Sequence, residues 1–186
     1  MRDPRRVAIL ISGRGSNMKA LVEHAEDYDV VLVASNKPLA PGLEWARSVG
    51  LPTWAWDSKG VDKEEFDRVL SAALDDHDVG TIALAGFMRI LSPWFVEQWR
   101  GRIVNIHPSL LPKYQGLDTH ARALANGDAV SGCSVHLVTE ELDAGELLGS
   151  AEVPIVAEDT PESLEQRVLA AEHRLYPKVL SEFANR

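Results

Sequence analysis

The first half of the chain alternates short apolar runs with segments in which apolar residues recur every three or four positions. The apolar runs predict buried strands, and the segments between them predict amphipathic helices. The predicted strands are residues 7–13, 30–36, 81–87 and 102–107, with a weaker one at 52–57, and the predicted helices are residues 16–26, 42–49, 62–77 and 92–99. Alternation of apolar strands with helices predicts an α/β fold, a doubly wound and mostly parallel sheet covered on both faces.

The second half of the chain has a different pattern. Residues 134–156 form two extended runs around a turn near residues 143–145, which predicts antiparallel strands added to the sheet. Residues 160–184 predict one long closing helix, with Thr160 as its N-cap, Pro161 in its first turn and a bend at Pro177. No repeat, low-complexity segment or linker interrupts the chain, so residues 1–186 are expected to form a single domain.

Composition and charge indicate which kinds of partner the chain can bind and which cellular compartment suits it. With 186 residues, 45% of them hydrophobic, the chain can bury one sizeable core. The net charge of −9 argues against a nucleic-acid surface but leaves small ligands open. No apolar run approaches the roughly 18 residues of a membrane span. The single cysteine, Cys133, allows no internal disulfide, so a reducing cytoplasm is the expected compartment.

A glycine-containing segment, "SGRGSN" at residues 12–17, joins the first predicted strand to the first helix. Glycines and free N–H groups at a helix start favour phosphate binding, but a tight turn capped by Ser16 or Asn17 fits the motif equally well. Met18 stands where a dinucleotide fingerprint has its third glycine, and no Gly-Lys-Ser/Thr is present. If the segment binds a ligand, a single phosphate suits it better than NAD or ATP.

The segment "RIVNIHPSLLPKYQG" places two polar residues, Asn105 and His107, at the end of a predicted strand. Residues two apart on a strand share one face, and ligands of open α/β sheets bind at this edge. An amide and an imidazole together could stabilise the oxyanion of an acyl transfer, although a structural histidine is the simpler alternative. The other histidines are weaker functional candidates at positions 120, 136 and 173, and are predicted to be structural at positions 24 and 77.

No residue has the sequence context of a covalent nucleophile. The chain lacks G-x-S-x-G, and Cys133 lies in an otherwise plain strand start. Acyl chemistry here would therefore be a direct transfer. No histidine pair has H-E-x-x-H spacing, so no metal site is expected. Asp143, in "EELDAG", would be dismissed as a solvated turn residue on local sequence alone.

Five motifs occur in one order along the chain: "ISGRGSN", "LAGFMRILSP", "NIHPSLLPKYQG", "TEELDAG" and "AEHRLYP". In this order they resemble the phosphoribosylglycinamide formyltransferase family of de novo purine synthesis. "FMRILSP" together with "NIHPSLLP" is specific, whereas "GSN" or "DAG" alone is weak. The resemblance implies small-molecule substrates and no metal: formyl passes from 10-formyltetrahydrofolate to the amine of glycinamide ribonucleotide. The oligomeric state is left open, with a homodimer among the expectations.

The resemblance also implies roles for individual residues. Asn105, His107 and Asp143 match the catalytic trio. The nucleotide substrate would be bound by Gly15, Ser16, Asn17, Leu169, Ala170, Ala171 and Glu172. The folate would be bound by Lys63, Met88, Arg89, Ile90, Leu91, Asn105, Thr139, Glu140, Glu141, Leu142 and Asp143. Lys63 stands where an arginine is usual, and Gln115 and Asp118 lie in a loop whose residues vary among relatives.

Three alternatives accompany this interpretation. Methionyl-tRNA formyltransferase and formyltetrahydrofolate deformylase share the Asn–His–Asp arrangement. The acidic composition, the early first strand and the chain end at Arg186 are expected to exclude a further domain of either kind. A non-catalytic nucleotide- or folate-binding protein on the same fold is the third alternative, and the intact trio disfavours it.

Overall fold

The computed structural model describes residues 2–186, in which strands and helices alternate along the chain. The strands are β1 (Arg6–Ile11), β2 (Asp29–Ser35), β3 (Thr53–Ala55), β4 (Thr81–Leu84), β5 (Ile103–His107), β6 (Val130–Leu137) and β7 (Leu147–Pro154). The helices are α1 (Ser16–Glu23), α2 (Pro41–Ser48), α3 (Lys63–Asp76), α4 (Pro93–Gln98), α5 (Thr119–Ala125) and α6 (Pro161–Ala184). Within this part of the chain, no helix has the length and apolar character needed to cross a membrane.

The strands form one mixed sheet in the order β3-β2-β1-β4-β5-β6-β7. The first five strands in this order are parallel, and β6 and β7 each run antiparallel to the preceding strand. The predicted fold class is therefore confirmed, including the antiparallel strands of the C-terminal half. The strand order reverses between β1 and β4, and ligand crevices of such sheets lie beyond the carboxyl ends of the strands at this point.

Both faces of the sheet are buried, which explains the continuous apolar runs. In β1, Val7, Ile9 and Ile11 point into a core shared with α1, α2 and α6, whereas Ala8 and Leu10 point into a core shared with α3 and α4. All five side chains are fully buried. Burial of a Val, Leu or Ile side chain typically contributes about 1.5–3 kcal/mol, so the centre of the sheet is stable enough to hold the loops at its edge in place.

Of the six helix starts in residues 2–186, three have a side-chain cap at a residue type that favours one. Asp62 accepts hydrogen bonds from two amides of α3, Ser92 accepts one from Phe95 of α4, and Thr160 accepts one from Ser163 of α6. The long closing helix is confirmed and continues through Pro177 to Ala184. The bend expected at Pro177 stays a prediction.

Two features differ from the sequence prediction. Helix α5 lies in a stretch where no element was predicted, because it has only seven residues and is entered through Asp118 in a left-handed conformation. Strand β6 begins at Val130 rather than at residue 134. Its start contains Gly132, which is a poor strand former, but a Cβ there would lie 2.1 Å from the Ala151 carbonyl oxygen of β7. The close pairing with β7 therefore requires the glycine.

Candidate active site

The predicted catalytic residues meet at the carboxyl end of β5. Asn105 and His107 lie on one face of β5, opposite His136 and Ser134 of β6. Nδ1 of His107 is 3.5 Å from one carboxylate oxygen of Asp143, and Nε2 of His136 is 3.5 Å from the other. The side chains of His107, His136 and Asp143 are each no more than 8% exposed. The structure therefore brings the predicted trio together and adds a second imidazole.

Asp143 lies in the connection between β6 and β7 and has a left-handed backbone, with φ of 51°. Its carboxylate accepts a hydrogen bond from the amide of Gly116 at 2.9 Å, and its carbonyl accepts one from Nε2 of Gln115 at 3.2 Å. Two residues later, a Cβ on Gly145 would lie 1.8 Å from the Leu137 carbonyl oxygen. The turn that carries Asp143 is thus tight, and it is attached to the loop that follows β5.

Both ring nitrogens of His107 face hydrogen-bond acceptors. Nε2 lies 2.8 Å from the carbonyl oxygen of Tyr114, and Nδ1 faces the Asp143 carboxylate. A neutral imidazole has one N–H donor, whereas an imidazolium has two. The contact of Nδ1 with Asp143, at 3.5 Å, is the longer of the two, so Nδ1, when protonated, is the nitrogen better able to donate to a substrate oxygen.

His136 was only a weak candidate from sequence, yet it belongs to this cluster. Its Nδ1 lies 2.9 Å from the Leu137 carbonyl oxygen, so the neutral ring carries its proton there. Burial lowers the pKa of His136, with Leu137 and Asp143 opposing the shift, so the ring is held neutral. Nε2 can then accept the amide N–H of Asn105 at 3.3 Å, which orients the Asn105 side chain. Alternation along β6, which puts residues 134 and 136 on one face, was the signal for this residue.

The glycine-containing segment is not capped by a side chain. Gly15, with φ of 71°, precedes α1 and is its cap position, so the alternative of a cap by Ser16 or Asn17 is wrong. Ser16 is exposed and Asn17 is buried. The carbonyl of Gly13 accepts a hydrogen bond from the amide of Gly42 at 3.0 Å, which ties the segment to the start of α2. An uncapped helix start with a left-handed glycine is suited to an anion.

Glu172 of α6 reaches this segment from the far end of the chain. Its carboxylate accepts a hydrogen bond from Nδ2 of Asn17 at 2.9 Å. Burial raises the pKa of Glu172 to about 7, and the bond from Asn17 opposes this shift. The preceding residues on the same helix turn are Leu169, which is half-buried, Ala170, which is exposed, and Ala171, which is buried. Asn17 and Glu172, both predicted, thus form one buried polar pair.

A segment with two exposed apolar side chains follows β4. Met88 and Ile90 are each 70% exposed, whereas Leu91 is buried. Between them, the guanidinium of Arg89 donates to carbonyls of Ser58, Val61 and Asp62, so it is committed to the loop before α3. The remaining predicted folate contacts are exposed: Lys63 at the start of α3, and Thr139, Glu140, Glu141 and Leu142 before Asp143. Exposed apolar side chains at the carboxyl edge of the sheet suit a flat ring ligand.

Ser12 links the glycine-containing segment to the segment after β4, a connection that sequence reasoning missed. Its hydroxyl donates to Oδ1 of Asn36 at 2.6 Å and accepts the amide N–H of Met88 at 2.8 Å. Nδ2 of Asn36 in turn donates to Oγ of Ser58 at 3.2 Å. The ends of β1, β2 and β4 are therefore joined by buried or half-buried hydrogen bonds.

The remaining candidate residues have other environments. Nδ1 of His24 and Nδ1 of His77 each lie within 3 Å of a carbonyl one helical turn earlier, which agrees with their structural interpretation. Burial raises the pKa of the Cys133 thiol to about 12, which disfavours a thiolate nucleophile. Burial also lowers the pKa of His120 and of His173. In residues 2–186, no group of three or more His, Cys, Asp or Glu side chains is arranged to hold a metal ion.

Comparison with known proteins identifies the family. A family model described as formyl transferase matches residues 5–180. The chain belongs to the formyl transferase family. The match includes β1 to β7 and the cluster of Asn105, His107, His136 and Asp143.

Individual relatives refine this assignment. Phosphoribosylglycinamide formyltransferase of Escherichia coli (strain K12) is 46% identical over 184 residues, which are 96% of this chain and 87% of that protein. The crystal structure of phosphoribosylglycinamide formyltransferase from Brucella melitensis has a TM-score of 0.92 at 47% identity and covers 100% of this chain and 97% of that chain. Among formyl transferases, the chain therefore falls with the phosphoribosylglycinamide formyltransferases.

The chain corresponds to a small part of a longer relative. The trifunctional purine biosynthetic protein adenosine-3 of Drosophila melanogaster is 47% identical over 188 residues, which are 97% of this chain but only 14% of that protein. The similarity is thus confined to one section of the trifunctional protein.

Proposed function

We propose that this protein transfers the formyl group of 10-formyltetrahydrofolate to the amine of glycinamide ribonucleotide in de novo purine biosynthesis. The observation that carries the proposal is the cluster of Asn105, His107 and Asp143, which lies at the same edge of the sheet as an uncapped helix start in a chain of this family. The substrates are those implied by the names of the relatives and by the family. The reaction is a direct transfer, without a covalent intermediate on the enzyme.

The chemistry follows from the groups present. The substrate amine attacks the formyl carbon and forms a C–N bond, and negative charge develops on the formyl oxygen. The amide of Asn105 and the imidazolium of His107 donate hydrogen bonds to this oxyanion. When the intermediate collapses, the bond to the folate nitrogen breaks. The proton lost by the attacking amine passes to that nitrogen, with Asp143 and solvent as the relay.

The binding roles use the segments on either side of this cluster. The amides at residues 15–17 would bind the phosphate of the nucleotide, and Glu172 would accept hydrogen bonds from its sugar or amide groups. The folate would pack on residues 88–91 and residues 139–143, with the exposed Lys63 available to a carboxylate. A cytoplasmic location and a homodimer remain predictions.

A spectroscopic assay of folate turnover tests the proposal directly. Purified protein is mixed with 10-formyltetrahydrofolate with and without glycinamide ribonucleotide. Turnover should require the amine, and substitution His107→Ala or Asp143→Ala should lower kcat by a factor on the order of 10²–10³. His24→Ala is the matched control, because His24 only caps α1 and should leave kcat unchanged.

Three results would contradict the proposal. Formate release without the amine would indicate a hydrolase, and formylation of methionyl-tRNA in place of the nucleotide would indicate the tRNA enzyme. Near-wild-type turnover by either the His107 or the Asp143 variant would refute the catalytic assignment.

A further inference from the structure

The loop between β5 and α5 contains a residue with an unusual backbone next to His107. Tyr114 has φ of 56°, in the left-handed region, and its carbonyl oxygen is the acceptor 2.8 Å from Nε2 of His107. For a residue other than glycine, this conformation typically costs about 1–2 kcal/mol of conformational energy. Surrounding contacts must therefore hold Tyr114 in place, and they determine where its carbonyl points.

One set of contacts holds the hydroxyl of Tyr114. The phenol donates to Oδ2 of Asp128 at 2.6 Å and accepts a hydrogen bond from Nδ2 of Asn126 at 3.0 Å. Nζ of Lys113 lies 3.3 Å from both oxygens of the Asp128 carboxylate. The bond from Tyr114, supported by Lys113, lowers the pKa of Asp128, so the anchor is a charged carboxylate at neutral pH.

A second set of contacts holds the ring and the chain that follows it. The guanidinium of Arg122, on α5, lies 5.1 Å from the centroid of the Tyr114 ring. One of its nitrogens donates to the carbonyls of Gln115 at 2.7 Å and Leu117 at 3.2 Å. Residues 122–128 thus hold the tyrosine at its hydroxyl, on its ring and through the backbone that follows it. On the preceding side, the hydroxyl of Ser109 donates to the Lys113 carbonyl at 2.6 Å and lies 3.4 Å from the Tyr114 carbonyl oxygen.

We propose that Tyr114 is a positioning residue for His107, because its anchored side chain fixes its own carbonyl on Nε2. This proposal rests on the proposed role of His107. With Nε2 held by the carbonyl, the ring presents Nδ1 toward Asp143, 3.5 Å away, and Nδ1 is the nitrogen left to meet a substrate oxygen. If the side chain lost its anchor, the carbonyl could turn away and the ring could adopt other orientations or tautomers.

Tyr114→Phe tests the proposed link between the Tyr114 side chain and His107, because it removes only the phenolic oxygen. The variant keeps the ring beside Arg122 but loses the hydroxyl that Asp128 holds. We expect kcat to fall about tenfold, with the KM of both substrates near the wild-type value and the pH profile of kcat displaced. Tyr28→Phe is the matched control, since it deletes a buried hydroxyl that donates to the Leu21 carbonyl at 2.6 Å, away from the site. It should alter thermal stability but neither kcat nor its pH profile.

Substitutions of Asp128 give an independent test. Asp128→Ala should lower kcat about as much as Tyr114→Phe, and the double variant should be no worse than either, because both remove one anchor. Asp128→Asn, which retains an oxygen that can accept from the phenol, should recover part of the loss. Additive losses in the double variant would overturn the proposal.

A direct readout separates this proposal from the proposed function. In ¹⁵N-resolved NMR spectra, the ring signals of His107, assigned by their loss in His107→Gln, should shift in Tyr114→Phe and not in Tyr28→Phe. Unchanged His107 signals together with unchanged kcat would overturn the positioning role. If the wild-type protein showed no amine-dependent turnover, the proposed function would fail, and if His107→Gln retained turnover, the catalytic role of His107 would fail. In either case the NMR shift would still report the contact between Tyr114 and His107.

Discussion

The two sides of the crevice are held in place by different means. The side proposed to bind the nucleotide, which we call the nucleotide side, is the glycine-containing segment at residues 12–17. It is held by the hydrogen bonds of Ser12, just after β1, and by the amide of Gly42 in the first turn of α2. The side proposed to carry out the chemistry, which we call the catalytic side, consists of the loop after β5 and the turn at Asp143, and it contains three left-handed residues with side chains, Tyr114, Asp118 and Asp143. The nucleotide side is positioned by hydrogen bonds at the ends of the sheet strands, whereas the catalytic side consists of two loops that are joined by hydrogen bonds to each other.

This difference has consequences for substitutions. On the nucleotide side, a perturbation displaces groups proposed to bind substrate, so binding should weaken while the chemical step is kept. On the catalytic side, a perturbation moves Asp143 or His107, so turnover should fall. Four experiments test this contrast, in decreasing order of their expected effect on the enzyme.

The largest effect is expected for Gly145→Ala on the catalytic side. The new Cβ would lie 1.8 Å from the Leu137 carbonyl oxygen, so the turn that carries Asp143 must move. We expect kcat to fall about 100-fold, since small misplacements of a catalytic group can have effects of this size. Steady-state kinetics measure the effect. Gly50→Ala is the control, because Gly50 has a left-handed φ but open space around it. If both variants kept wild-type kcat, the catalytic side would not depend on this turn.

On the nucleotide side, the corresponding substitution is Gly42→Ala. Its Cβ would lie 2.5 Å from Cδ1 of Ile11 and 3.0 Å from the Gly13 carbonyl oxygen. Overpacking of this kind typically costs about 1–3 kcal/mol, so we expect the KM for glycinamide ribonucleotide to rise about tenfold. At saturating substrate, kcat should stay close to wild type. A fall in kcat with an unchanged KM would contradict the proposed division of the crevice.

Ser12→Ala should have a moderate effect on both stability and binding. The substitution leaves the Met88 amide and Oδ1 of Asn36 without their partner, which typically costs about 1–3 kcal/mol. Urea unfolding should detect this loss, and the KM for the folate should rise a few-fold because Met88 begins the exposed apolar segment. Ser48→Ala removes an exposed hydroxyl that donates to the Trp45 carbonyl, and it should change stability by less than about 0.5 kcal/mol. Equal effects of the two variants would argue against the Ser12 link.

The smallest effect is expected for Glu172→Gln, which should change how steeply the free energy of unfolding depends on pH. The pKa of Glu172 in the folded protein, about 7, lies above the ordinary value of 4.5. Between these values the folded protein binds more protons than the unfolded chain, so this group makes stability fall as the pH rises from 4.5 to 7. Glu172→Gln should remove that contribution, while the other titrating groups act equally in both proteins. Urea unfolding between pH 5 and 7.5 measures it, and parallel curves would show that Glu172 is ionised throughout.

The nucleotide side was largely predictable from sequence, because its parts are local. The apolar run of β1, the glycines and the helix start lie in one stretch, and the fold class follows from the alternation of such stretches. What the sequence could not decide was whether a side chain capped α1. The bond from Asn17 to Glu172 joins residues 155 positions apart, so local reasoning could not find it.

The catalytic side was predictable only in part. Asn105 and His107 follow from strand periodicity, but Asp143 came from the family resemblance, since a turn acid has no local signal. His136 depends on the register between β5 and β6, which the sequence does not specify. The anchor of Tyr114 depends on Asp128, which follows a short helix with too few apolar positions to be recognised.

The pairing of Asn17 with Glu172 also bears on the order in which the protein is made. During synthesis the glycine-containing segment leaves the ribosome first, and its partner on α6 emerges some 155 residues later. Helix α6 also supplies Tyr176, whose buried hydroxyl donates toward the carbonyls of Leu84 and Val104 beneath the crevice. A nascent chain therefore contains all seven strands before it contains Glu172, and the proposed nucleotide side is complete only when the final helix docks.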